Sequence, residues 1–95
     1  MEFKKYKNLV DFYTSISIEK YHLDGIEKRS YWYHLDHKFS VVEGFKQNIP
    51  PYIIGHINNL EMLMGRNNLV KNRKCSIDKD VLIDSILGNS ETSIN

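Results

Sequence analysis

The sequence predicts a small α+β domain with two short strands at its centre and a helix at each end. Three observations carry this. Apolar residues recur at three- and four-residue intervals from Phe3 to about Ser17, the pattern of an amphipathic helix. Two short stretches, Ser30 to His37 and Asn59 to Met64, alternate with a period of two. A last apolar segment comes after Asp78, a good N-cap residue, and stops at Gly88.

In the first helix Phe3, Tyr6, Leu9, Val10, Tyr13 and Ile16 form one stripe, expected to face the core, so its aromatic rings are read as packing. Ile18 to Ile26 has no clear period and ends near Gly25. Tyr21-His22-Leu23-Asp24 repeats Tyr33-His34-Leu35-Asp36, but the repeat is too short for a solenoid and reads as chance. Ser30 to His37 is rich in aromatic residues and reads as a strand. Alternation puts Tyr31, Tyr33, Leu35 and His37 on one face, with Trp32, His34 and Asp36 on the other. Asp36 and His37 then serve one site only if the strand ends or bends there.

Ser40 and Glu43 have the capping-box spacing for a short helix reaching about Asn48. Pro50 and Pro51 end it and favour a new start at Tyr52. Leu60, Met62 and Met64 alternate with Glu61 and Leu63 in the second strand; both methionines are read as gap-fillers in the core. Gly65-Arg66-Asn67 is turn chemistry, and Asn68 to about Lys74 fits a short helix aligning Asn68, Lys71 and Asn72. The last helix is expected from Lys79 to Leu87, and residues 89–95 read as a flexible tail. That leaves one domain over residues 1–88, with its central motif at 33–77.

A chain of 95 residues has room for a single modest core. No apolar run approaches the roughly 20 residues of a membrane span, and the first residues lack the apolar core of a signal peptide. Cys75 is alone, which excludes a disulfide framework and a cysteine zinc knuckle. A cytoplasmic, reduced setting is therefore expected. Net charge is +1, too small for a strongly basic nucleic-acid binder, but the charge is unevenly placed. Arg66, Lys71, Arg73 and Lys74 form a basic cluster without an acid, whereas Asp78, Asp80, Asp84 and Glu91 dominate the C-terminal part.

The chemistry-bearing residues are Asp36, His37, Asn59 and Asn68. A carboxylate can hold a hard metal ion while an adjacent imidazole takes a proton from water, and an asparagine carbonyl can complete the oxygen-rich side. This set suits metal-dependent phosphodiester hydrolysis, with the basic cluster placed to hold phosphate. His22 and His56 are read as ordinary histidines. Asn58 competes with Asn59, and Asn67 with Asn68; Leu60, the nine-residue interval and Lys71 favour the second of each pair.

Asp36-His37, Asn59-Leu60 and Asn68-x-x-Lys71 resemble the HNH endonuclease signature, down to the nine-residue interval between the asparagines. The surrounding Asp-His-Lys-Phe-Ser, Glu-Gly-Phe-Lys-Gln-Asn-Ile-Pro-Pro and Asn-Leu-Glu are similar to small phage-encoded HNH proteins, homing-type endonucleases among them. The resemblance covers Tyr33 to about Ile77. It implies a ββα-metal finger flanked by the two terminal helices, and DNA as substrate. It further implies Asp36 and Asn68 as ligands to Mg²⁺ or Mn²⁺, His37 as general base and Asn59 as the residue that ties down the loop aiming His37. Lys71, Arg73, Lys74 and Arg66 would hold phosphates. Apart from the resemblance, strand alternation alone puts His34 near Asp36, so it is either an accessory residue or an ordinary histidine. The family's frequent Cys-x-x-Cys pairs and companion DNA-reading modules are missing. A non-catalytic protein of this fold, bound to a host or phage protein, is the alternative, and a DNA-binding regulator that does not cleave stands third. A homodimer is a further expectation, since the apolar surface looks large for so small a core.

Overall fold

The computed structural model describes residues 1–65 and 75–88. The expected turn at Arg66-Asn67, the expected helix from Asn68 to Lys74 and the tail at 89–95 lie outside the described residues. In order, the described elements are α1 (Phe3–Lys20), a 3₁₀ turn (Ile26–Lys28), β1 (Tyr33–His37), α2 (Val41–Lys46), α3 (Pro51–Ile54), a second 3₁₀ turn (Ile57–Asn59), β2 (Leu60–Met64) and α4 (Lys79–Ile83). α4 runs on into a π-helical turn, Asp84–Gly88. Among the described residues this is an α+β arrangement of helices around one two-stranded antiparallel sheet.

Local chemistry accounts for most of the boundaries. The Ser40 hydroxyl accepts from the Glu43 amide at 3.1 Å and starts α2. The reciprocal half of the capping box is not made. The Ser40 amide instead donates to Cys75 Sγ at 3.4 Å, and the Glu43 carboxylate accepts from Gln47 Nε2. α3 opens at Pro51, one residue before the predicted start, because a proline at the first helical position leaves no extra donor unmet. Asp78 caps α4 by accepting from the Asp80 amide.

One core unites the elements. Tyr6 and Val10 of α1, Phe39 and Ile49 of the loops, Ile53 and Ile54 of α3, and Leu82 of α4 are buried together. Each fully buried aliphatic side chain contributes about 1.5–3 kcal/mol, so α1, α3 and α4 are all held mainly through this cluster. The Tyr6 hydroxyl, donating to the Ile49 carbonyl at 2.7 Å, has its pKa pushed up to about 12 by burial.

The inward face of α1 differs from the predicted stripe. Tyr6, Val10, Thr14 and Ser17 are buried, whereas Leu9, Phe12 and Ile16 are exposed. The cause is a backbone-close seam with the end of α3. A Cβ at Gly55 would lie 2.7 Å from Tyr13 Cβ, 2.8 Å from the Val10 carbonyl oxygen and 2.9 Å from the Thr14 amide. Small polar side chains fit such a seam, and Ser17 closes it by donating to the Gly55 carbonyl at 2.7 Å.

β1 pairs with β2 from Tyr33 opposite Met64 to His37 opposite Leu60. It starts three residues later than predicted because Ser30 and Tyr33 exchange backbone hydrogen bonds and hold Tyr31 and Trp32 in a turn. No helix among the described residues is long and apolar enough to cross a membrane.

Candidate active site

The pairing fixes where the predicted residues point. Asp36 lies directly opposite Glu61 and His34 opposite Leu63, so these share one face of the ribbon. His37 and Leu35 leave the other face and line a cleft of about 330 Å³ with Asp11, Thr14, Ser15, Ile18 and Arg29. His37 Nε2 and the Thr14 hydroxyl are 3.0 Å apart, and Thr14 is only 6% exposed. A hydroxyl can donate or accept, so Thr14 can hold either neutral tautomer of the ring.

Pairing stays regular through His37, so Asp36 and His37 diverge as strand alternation requires. The strand does end at His37, one of the two conditions under which the pair could serve a single site. Among the described residues β1 pairs with β2 alone.

The turn after β1 is locked by Asn59. Its side chain is 0% exposed. The amide oxygen accepts from the Phe39 amide at 2.7 Å, and Nδ2 donates to the carbonyls of Phe39 at 3.1 Å and Ile54 at 2.8 Å. The Lys38 amide donates to the Asn59 carbonyl at 2.7 Å. Asn58, the competing residue, is exposed and ties instead to Ser85. Asn59 thus stands where a residue must stand to fix the turn beyond the Asp-His pair.

Three residues near these groups escaped the sequence reading. Glu61 faces Asp36 across the ribbon, and its Oε2 accepts from Ser76 Oγ at 3.2 Å. The Ser76 amide donates to the Lys38 carbonyl at 2.7 Å, bringing the chain back to the end of β1. Thr14 carried one signal, a polar residue in register with Tyr6 and Val10. Glu61 carried none until the strand register was known.

His34 Nε2 lies 2.5 Å from the Tyr31 carbonyl, on the Asp36 face. Asn68, Lys71, Arg66, Arg73 and Lys74 lie outside the described residues, so the expected second ligand and the phosphate-holding cluster have no placement. Among the described residues no group of three metal-ligating side chains occurs. A larger cleft, about 470 Å³, opens beside Cys75, Asp78 and Lys79, but contains none of the predicted site residues. The His37 cleft is the better candidate because it holds a hydrogen-bonded imidazole against a buried hydroxyl.

No protein-family model matches the chain, no curated protein matches it, and no solved structure matches it.

Proposed function

We propose that the chain is a metal-dependent DNA endonuclease of the HNH type, built on a ββα-metal finger. The single observation that carries this reading is the Asn59 latch. A buried asparagine joins the backbone after an Asp-His pair to the segment before the second strand, the role that the HNH resemblance assigns to it.

In this reading Asp36, with Asn68, holds Mg²⁺ or Mn²⁺. The donor chemistry fits a hard cation: a carboxylate and an amide oxygen, with Glu61 opposite Asp36 adding a second negative charge that a cation would offset. When bound, the metal stabilises charge on the phosphate and on the leaving 3′-oxygen. His37 takes a proton from water, which attacks phosphorus as the bond to the 3′-oxygen breaks. The leaving 3′-oxygen takes a proton from solvent, so the products are a 5′-phosphate and a 3′-hydroxyl. Thr14 orients the imidazole; because Asp36 and His37 leave opposite faces of β1, a single site would take in both only where the strand ends, at His37. Lys71, Arg66, Arg73 and Lys74 hold flanking phosphates.

The second reading is a non-catalytic protein of the same fold that binds a host or phage protein. The exposed row of Leu9, Phe12 and Ile16 on α1 favours it. A supercoiled-plasmid assay with Mg²⁺, Mn²⁺ or EDTA separates the two. The nuclease nicks or linearises the plasmid only with metal and loses this in His37→Ala and Asn68→Ala. Wild-type protein that leaves the plasmid intact under every metal would sink the nuclease reading.

A further inference from the structure

We propose that Tyr31 and Trp32 form a stacking platform for an unpaired base of a nucleic-acid strand; the choice of partner rests on the nuclease reading above. The two residues are 79% and 69% exposed, an adjacent pair of large, mainly apolar rings left in water. Their centroids are 4.7 Å apart with ring planes at 83°, so they form a corner with open aromatic face. A flat base can lie on one ring and meet the other at its edge.

The backbone beneath the rings is fixed. Trp32 N donates to Ser30 Oγ, and Ser30 and Tyr33 exchange two backbone hydrogen bonds. The Tyr31 carbonyl meets His34 Nε2, and the Trp32 carbonyl accepts from the Gly65 amide at 2.6 Å. Gly65 suits this clasp: a Cβ there would come 3.0 Å from the His34 ring, a tight contact that the ring would have to yield to. Rings held out on a tied backbone lose little freedom on binding, which is the economy of a preformed site.

Charge selects the partner. The turn leading into the pair carries Lys28 and Arg29 against Glu27, a net positive segment. Arg29, two residues before Tyr31 in the chain, also lines the cleft of His37, so the segment entering the aromatic corner brings a cation to the proposed general base. Aromatic faces joined to a cationic path are the chemistry of sequence-tolerant binding to single strands. A strand whose base stacks at Trp32 would bring its phosphates near this positive segment.

Trp32 is the chain's single tryptophan, so its fluorescence reports the platform directly. The full chain would be titrated in EDTA, where no cleavage occurs, with an oligothymidine strand of about 20 nucleotides, longer than one binding site. A duplex of equal length is the comparison. Saturable quenching by the single strand, weaker with the duplex, is expected. Tyr31→Ala and Trp32→Ala should each weaken binding of a labelled strand roughly 5- to 100-fold, with Trp32→Phe retaining most of it. Circular dichroism checks that each variant is folded.

Absence of quenching, or unchanged affinity in a folded Tyr31→Ala, overturns the proposal and leaves the pair as a protein-facing patch. The outcome is separable from that of the plasmid assay. Stacking without cleavage would retain the platform and sink the nuclease; metal-dependent cleavage with Trp32 silent would do the reverse.

Discussion

Asn59 joins three backbone groups through one amide: the Phe39 N–H and carbonyl, and the Ile54 carbonyl. Asn59→Ala would leave all three without that partner in a site closed to water, costing about 3 kcal/mol or more. Asn59→Asp keeps the shape but cannot donate to either carbonyl, so it should be nearly as damaging. Urea unfolding measures both, and a midpoint within error of wild type in either variant would remove the latch. The preference for Asn59 over Asn58 rested on Leu60 directly after it; the three hydrogen-bond partners were not legible, since they come from segments whose paths no local rule fixes. His56 makes a second prediction at this scale. Burial lowers its pKa, and its Nδ1 accepts from the Asn58 amide at 3.0 Å, which only the neutral ring can do. The unfolded chain therefore takes up the proton more readily. The stability of the neutral ring is fully present above the unfolded value of about 6.5 and is lost as pH falls from there through the lower folded value. His56→Asn retains an acceptor without titrating and should flatten the fall in urea midpoint between about pH 7 and 5. An acid limb of unchanged slope would show that His56 is not its source.

The elements divide by how local their causes are. Ser40, Pro51 and Asp78 were readable as helix starts because a cap is settled within three residues. The face that α1 buries was not readable in this way. Leu9 and Ile16 have the apolar period, yet Thr14 and Ser17 occupy the seam because Gly55 brings backbone against backbone. This seam is open to a direct test. Gly55 has φ −86° and ψ 4°, a conformation alanine adopts without strain. Gly55→Ala should then stabilise slightly if only the unfolded chain mattered. Steric contact with α1 instead predicts a loss of about 1–3 kcal/mol, a fall in thermal midpoint of roughly 5–20 °C. A midpoint equal to or above wild type would mean that α1 and α3 give way easily and that the seam does not select the buried face.

Across the whole molecule, the order helix, strand, loop, strand, then a closing helix was legible from periodicity and turn chemistry. A further short helix was expected between Asn68 and Lys74, outside the described residues. The pairing that sets Glu61 against Asp36 depended on register between strands roughly 20 or more residues apart, which no periodicity encodes. Leu9, Phe12 and Ile16 give α1 an outward apolar row. A second copy covering that row would yield a dimer in sedimentation at high protein concentration, and Phe12→Glu would return it to monomer with unchanged circular dichroism. A monomer at every concentration would remove the self-association. One contact has a wider consequence. His37 and Thr14 meet across 23 positions of sequence, and Ile53 and Ile54 share their cluster with Tyr6, Val10 and Leu82. A transplant of residues 33–77 into another protein would carry the histidine without its hydroxyl and both isoleucines without these neighbours. The portable unit is therefore longer than the motif by which it is read: a recombination that moved this hydroxyl–imidazole pair and its core intact would have to move α1 and α4 with it.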